Sequence, residues 1–246
     1  NIINNVNVVM IGKDENTLLN VLNILDGNSF QYWVSNGTLL GLVREGRVLP
    51  WDNDIDISVW SHEVSKEFII ELLKPHGFEV APLSDYNDCL HFIVKGNGKK
   101  TVDVGFYEIH NSIAKIRWLA PRQDSGVLSM LRFSLSIFDE DLKLNSIKGN
   151  WSFVKYLLYI IIRPIVLIRP SYFQKIKKKY YMPNFFHQIG YTYPVSLLKK
   201  QGYLHKFGKM IPVPRDYEQV LEMTYGEDWR TPKKDYVWHE DAKNLH

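Results

Sequence analysis

Asp52, Asp54 and Asp56 stand at alternate positions in the stretch Pro50-Trp51-Asp52-Asn53-Asp54-Ile55-Asp56-Ile57-Ser58-Val59. Carboxylates spaced this way form a calcium loop, a solvated acidic strand, or the metal site of an enzyme. Counted from Asp52, a calcium loop finds oxygen ligands at Asp54, Asp56, Ser58 and Glu63, but Ile57 occupies the position that needs glycine for the sharp turn. A β-branched residue resists that conformation. A bare acidic strand places like charges on one face with nothing to offset their repulsion, in an element where acidic residues are depleted. An enzyme site uses the same geometry productively. Asp54 and Asp56, on one face of a strand, chelate one or two Mg²⁺, and Asp103 on a neighbouring strand completes the set. Two such ions about 4 Å apart hold the attacking and leaving oxygens of an in-line phosphoryl displacement.

Phosphoryl chemistry also needs anion contacts. Gly37 and Thr38 follow an aromatic strand and open a short helix, where backbone N–H groups and the helix dipole favour a phosphate. Arg44 sits on the same helix and is placed to neutralise charge on a diphosphate as its bond breaks. Each signal is weak alone. The Gly-Thr turn, the Asp-x-Asp strand and a later strand aspartate, in that order, are together specific.

These residues require a small set of elements. Residues 14–27 have apolar positions at helical spacing, with Asp14 as N-cap and Gly27 as stop. Residues 30–35 read as a short aromatic strand, Asn36-Gly37 as a turn, and 38–46 as a short helix opened by Thr38 and closed by Gly46. Ile55, Ile57 and Val59 alternate with Asp54, Asp56 and Ser58, which predicts a strand over 54–60. A helix is expected over 62–77, capped by Ser61, and an edge strand over 78–83. Residues 90–95 and 101–109 read as a hairpin joined by Gly-Asn-Gly-Lys. Within the second strand Asp103 points away from Val102, Val104 and Phe106. The pattern predicts an α+β fold with one small mixed sheet flanked by helices.

The chain has 246 residues, 45% hydrophobic and 23% charged, which suits a globular protein with a substantial core. The net charge of +3 conceals an asymmetry. From Leu142 to Arg215 there are 14 Lys and Arg and no Asp or Glu, so the remainder carries 16 cationic against 27 acidic side chains. An acidic part that holds cations thus precedes a basic part that favours phosphates, anionic lipid or nucleic acid. No nucleic-acid motif accompanies the lysines, and no nucleic-acid partner is expected. Residues 151–180 are the most apolar and basic stretch, with Arg163-Pro164 in the middle, unsuited to a membrane span. They form either a kinked buried helix pair or a peripheral membrane contact with Lys175, Lys177, Lys178 and Lys179 toward the headgroups. The tail, 211–232, reads as a Pro-bounded loop, a helix from Tyr217 to Tyr225 and a stop at Gly226. The organisation expected is a catalytic core over 1–120, with a basic, largely helical part and closing tail over 121–246 packed on it. Residue Asn1 is consistent with a trimmed or processed chain; no signal peptide is recognisable, and a cytoplasmic location, peripheral to a membrane, is expected.

Cys89 is the single cysteine, excluding an internal disulfide and Cys-rich zinc sites, and reads as a small buried hydrophobe. His91 reads as structural, whereas His239 is near enough to the tail to reach the site. Seven tryptophans and 14 tyrosines supply aromatic faces, most of them core; a cage for a quaternary ammonium needs two or three to converge.

Residues 35–57, Ser-Asn-Gly-Thr-Leu-Leu-Gly-Leu-Val-Arg-Glu-Gly-Arg-Val-Leu-Pro-Trp-Asp-Asn-Asp-Ile-Asp-Ile, resemble the signature of LicD-type proteins, a family that includes fukutin and fukutin-related protein. The tail over 213–232 is similar to that family's closing motif. The resemblance implies a nucleotidyltransferase-type fold and a Mg²⁺-dependent (or Mn²⁺-dependent) transfer of a phosphorylated group, phosphocholine or an alditol phosphate such as ribitol phosphate. Its donor is CDP-activated and its acceptor a sugar hydroxyl on a cell-surface or lipid-linked glycan, with CMP released. Carried over by position, Gly37 and Thr38 touch the donor phosphates, Arg44 braces them, and Asp54 and Asp56 bind metal. Asp103 binds metal or acts as general base, and Asp52 matches an acidic position of less defined role. Asn53 stands where an acidic residue is common, and Thr38 where wider nucleotidyltransferase motifs carry serine. Two other classes stay open. One is a cytidylyltransferase that makes the CDP-activated donor; the other is a membrane- or glycan-binding module with a decayed catalytic site.

Overall fold

In the computed structural model the described residues are 12–81, 87–94, 100–121, 152–169, 172, 173, 175, 186–233 and 236–245. The chain forms two compact units, one of residues 1–118 with 189–246 and one of residues 119–188. The first carries the sheet. Helix α1 (Lys13–Leu25) buries Leu18, Val21, Leu22 and Leu25. Its N-cap is Gly12, and Asp14 lies in the first turn beside Glu15, where a carboxylate complements the helix dipole instead of capping it. β1 (Tyr32–Val34) leads directly into α2 (Asn36–Arg44), whose N-cap is Ser35. The helix therefore starts two residues before Thr38, and its first residue, Asn36, takes a positive φ of 44° that asparagine tolerates.

β2 (Asp54–Trp60) matches its predicted span, with Ile55, Ile57 and Val59 at most 1% exposed. Burying each of these side chains contributes roughly 1.5–3 kcal/mol. α3 (Lys66–Leu73) begins later than its apolar spacing predicts. Ser65, not Ser61, accepts the cap hydrogen bond from the Phe68 N–H at 3.2 Å, while the Ser61 hydroxyl donates to the Tyr107 carbonyl at 3.1 Å. A 3-10 turn (Lys74–His76) and Gly77 at φ +84° end the segment. β3 (Phe78–Val80), β4 (Cys89–Val94) and β5 (Thr101–His110) follow; the Gly-Asn-Gly-Lys connection lies outside the described residues.

β6 (Ile113–Pro121), unanticipated from sequence, returns from β5 through a turn at Asn111, φ 57°. Among the described residues the main sheet runs β1-β2-β5-β4-β3, with β6 pairing β5 and β7 (Phe186–Pro194). It is mixed: β2 and β5 are parallel, whereas β1–β2, β3–β4, β4–β5 and β5–β6 are antiparallel. This is the α+β arrangement expected, one mixed sheet with helices.

α5 (Val195–Lys199) leads to a second hairpin, β8 (Gln201–Lys206) and β9 (Lys209–Pro214), turned by Phe207 and Gly208, both at positive φ. The Pro-bounded loop expected from residue 211 is thus a strand; Ile211 and Val213 are fully buried. Prolines are tolerated there because the hairpin's outer edge needs no N–H from them. α6 (Tyr217–Tyr225) ends at Gly226 as predicted, and α7 (Trp238–Asp241) is one short turn.

The second unit contains α4 (Ser152–Ile168), which continues as a helix through Pro164. Of the two readings of residues 151–180, burial is not what α4 shows: Phe153, Ile161 and Ile168 are 72%, 64% and 76% exposed. Lys177, Lys178 and Lys179 fall outside the described residues. No helix among those described is long and apolar enough to cross a membrane.

Candidate active site

Strand pairing sets the site. In the parallel β2–β5 register Asp56 lies beside Asp103, and in the antiparallel β4–β5 register Asp103 lies beside His91. Paired residues project to the same face of a sheet. Asp56, Asp103 and His91 therefore form a row across three strands, opposite the face that buries Val102 and Val104. Asp54 precedes Asp56 by two residues on that face.

Asp52 joins them from the turn that enters β2. One carboxylate oxygen from each of Asp52, Asp54 and Asp56 lies within 4.8 Å of the others. The turn is fixed by the Asp52 N–H donating to the Leu49 carbonyl at 3.2 Å. Lys100, 8% exposed, clamps it from beneath, donating to the Leu49 carbonyl at 2.9 Å and also to the Asp52 carbonyl. Nothing in the spacing of the sequence marks Lys100, because the turn it holds, at Leu49 and Asp52, is about 50 residues away in the chain.

Gly37 is required by close approach. A Cβ there meets the Asp52 Oδ2 at 2.1 Å and the Asp56 Oδ2 at 3.5 Å. Thr38, 1% exposed, is committed to Asp56: its hydroxyl accepts from the Asp56 N–H at 2.8 Å and its own N–H donates to Oδ2 at 3.3 Å. Asn36 donates to Asp56 Oδ1 at 3.4 Å. The start of α2 thus meets the acidic cluster itself.

Burial, followed by repulsion from Asp56, pushes the Asp54 carboxyl up to about 7. Burial also raises Asp52, reinforced by Asp54, and Asp56, reinforced by Asp52 and Asp103. Without a cation the cluster is destabilised whenever it is fully ionised. Among the described residues, these four carboxylates, counting Asp103, have Lys100 as a nearby buried ammonium, which is already engaged with two carbonyls and lies 3.7 Å from Asp14. A hard divalent cation with oxygen preference fits this donor set.

Asp103 is held differently. His91 Nδ1 lies 2.8 Å from Asp103 Oδ2, and the Thr101 hydroxyl donates to Oδ1 at 3.5 Å. The hydrogen bond to Asp103 raises the His91 imidazole above its usual value. Cys89 joins His91 and Asp103 in a second group of ligand-type atoms within 4.8 Å. Burial and the adjacent Asp103 push its thiol well up, so it stays protonated and is a poor metal ligand.

The carboxylates line a cavity of roughly 800 Å³ that also receives Gly37, Arg44, His91 and Asp103. Arg44 donates from Nη2 to Glu45 Oε1 at 3.1 Å and from Nη1 to the Trp229 carbonyl at 3.4 Å, joining the first motif to the tail motif. Its buried Nε has no hydrogen-bond partner. Across the cavity, Trp118, Tyr191, Tyr225, Trp229 and Tyr236 supply an aromatic wall that no spacing in the sequence reveals. Trp118 packs on Tyr191 at 4.9 Å and Tyr225 on Tyr236 at 5.1 Å, and the buried Tyr236 hydroxyl also has no partner. The side chain of His239 is outside the described residues.

Residues 29–127 match the LicD/FKTN/FKRP nucleotidyltransferase domain. An uncharacterised protein of Rickettsia prowazekii is 34% identical over 67 residues, 27% of this chain and 25% of that protein. The ribitol 5-phosphate transferase FKRP of Mus musculus is 29% identical over 115 residues, 42% of this chain and 22% of that protein. The chain therefore spans a quarter or less of the length of these relatives. The crystal structure of the lincosamide antibiotic adenylyltransferase LnuA, lincomycin-bound, is 10% identical with a TM-score of 0.40, covering 84% of each chain. The matched stretch, 29–127, contains the whole acidic row and its neighbouring helix, so it is over these residues that the chain is similar to the LicD family.

Proposed function

We propose that the protein transfers a phosphorylated group, phosphocholine or an alditol phosphate such as ribitol phosphate, from a CDP-activated donor to a sugar hydroxyl of a glycan, releasing CMP. The observation that carries this reading is the three-carboxylate cluster of Asp52, Asp54 and Asp56 beside Asp103 in one large cavity. The FKRP similarity supports the class of transferred group, and the intact cluster favours a working enzyme over a decayed one.

Asp54 and Asp56, joined by Asp52, would hold Mg²⁺ (or Mn²⁺), with Asp103 alongside as a further acidic group. Bound there, the ion supplies charge neutralisation at the donor diphosphate. Gly37 leaves space beside the carboxylates at the mouth of α2, and Thr38 holds Asp56 in its orientation. Arg44 offers its unpaired Nε to the donor phosphates. Asp103, oriented by His91, takes the proton of the acceptor hydroxyl as the oxygen–phosphorus bond forms. The bond between that phosphorus and the CMP oxygen breaks in the same displacement, and CMP carries away the electron pair. General-base help of this kind is worth about 10²–10⁴-fold in rate. The aromatic side chains lining the cavity offer faces on which the donor's base or the transferred group can stack. In this reading residues 1–120 supply the catalytic core, and the tail meets it where the Trp229 carbonyl accepts from Arg44.

Incubation with CDP-ribitol or CDP-choline, Mg²⁺ and candidate glycans tests the reading through CMP release and mass gain of the acceptor. Near-normal transfer by Asp56→Asn contradicts it. Pyrophosphate release from CTP plus choline phosphate or ribitol phosphate replaces it with donor synthesis.

A further inference from the structure

We propose that the exposed face of α4 seats on the surface of an anionic lipid bilayer. Phe153, Leu157, Ile160, Ile161, Ile165 and Ile168 are 43–76% exposed. At 3.6 residues per turn they fall on one continuous stripe. The opposite side carries the buried Arg163 and Val166. None of these six side chains is charged or forms hydrogen bonds, Tyr156 borders them at 42% exposed, and a contiguous exposed apolar surface marks an interaction site.

The occupant follows from length and charge. Seventeen residues rise about 25 Å, short of the roughly 30 Å hydrocarbon core, so the helix lies in the interface instead of crossing it. Exposed Arg169 directly follows the stripe and exposed Lys175 lies further along the chain, both within the acid-free stretch of 14 Lys and Arg from Leu142 to Arg215. Anionic headgroups complement that charge. A second copy of this chain would instead bring two such cationic stretches together, which repel. The inference is independent of which group the enzyme transfers.

Flotation of the full chain with phosphatidylcholine vesicles, with and without phosphatidylglycerol, tests it. Binding is expected with the phosphatidylglycerol vesicles at low salt, weakened by high salt. Ile161→Glu combined with Ile165→Glu should reduce partitioning at least about tenfold, since a charge at the apolar interface opposes insertion. Both sites are exposed, so the melting temperature without lipid should be unchanged, and Arg169→Glu should lower partitioning as a second variant. Absence of vesicle binding at low salt overturns the proposal, as does equal binding to neutral vesicles or undiminished binding of the double variant. A lipid-free dimer dissociated by the double variant also overturns it, identifying a second copy as the occupant.

Discussion

Replacing Gly37 with alanine separates folding from metal binding. The added Cβ falls 2.1 Å from the Asp52 Oδ2, whereas ordinary contact begins at 3.4 Å, so the carboxylate must retreat by about 1.3 Å. Its obstacle is the end of a side chain, which moves at little cost to the fold. Gly37 is helical and lacks a positive φ, so alanine raises helix stability by up to about 1 kcal/mol. Stability and metal affinity should therefore change in opposite directions. Displacing a ligating or supporting group typically costs about 10–100-fold in metal affinity. Calorimetric Mg²⁺ titration, paired with a urea melt of the metal-free protein, reads both. Unchanged Mg²⁺ affinity in Gly37→Ala, with the melt preserved, would refute the placement of Asp52 in the metal cluster.

Other consequences follow from the same geometry. Asp54 has a folded value of about 7 against an ordinary 3.8, so its contribution to stability is complete below about pH 4 and lost as pH rises through 7. Mg²⁺ should accordingly raise the melting temperature more at pH 8 than at pH 5, and equal increments would contradict a carboxylate-bound ion. Lys100→Met removes the donors to the Leu49 and Asp52 carbonyls, so stability should fall by about 1–3 kcal/mol and Mg²⁺ affinity should fall with it. A urea melt and titration on one sample show whether the two losses travel together. Ser65→Ala removes the cap of α3 and should cost about 1 kcal/mol in a urea melt while leaving transfer intact.

The parts of the fold legible in the sequence were those where one local force dominates. Ile55, Ile57 and Val59 must all be buried on one face, and that alternation alone fixed β2 and set Asp54 and Asp56 together. The start of α3 was not legible, because Ser61 and Ser65 both precede apolar residues and only tertiary contact decides which caps. β9 was hidden by Pro212 and Pro214, whose missing N–H groups suit a loop until an edge position makes them harmless. Asp103 was legible from strand alternation, but its pairing with His91 depends on a β4–β5 register that spacing does not state. Thr38 illustrates the same limit: its place at a helix start suggested a phosphate contact, whereas its hydroxyl and N–H are both used on Asp56.

The central claim is that the Asp52–Asp54–Asp56 cluster drives transfer from a CDP-linked donor, and the most direct measurement is Mg²⁺-dependent CMP release with an acceptor glycan present. Release of CMP from CDP-ribitol or CDP-choline, abolished by chelator and by Asp56→Asn in a folded variant, is the result predicted. Metal-independent release, or release undiminished in Asp56→Asn, contradicts the account.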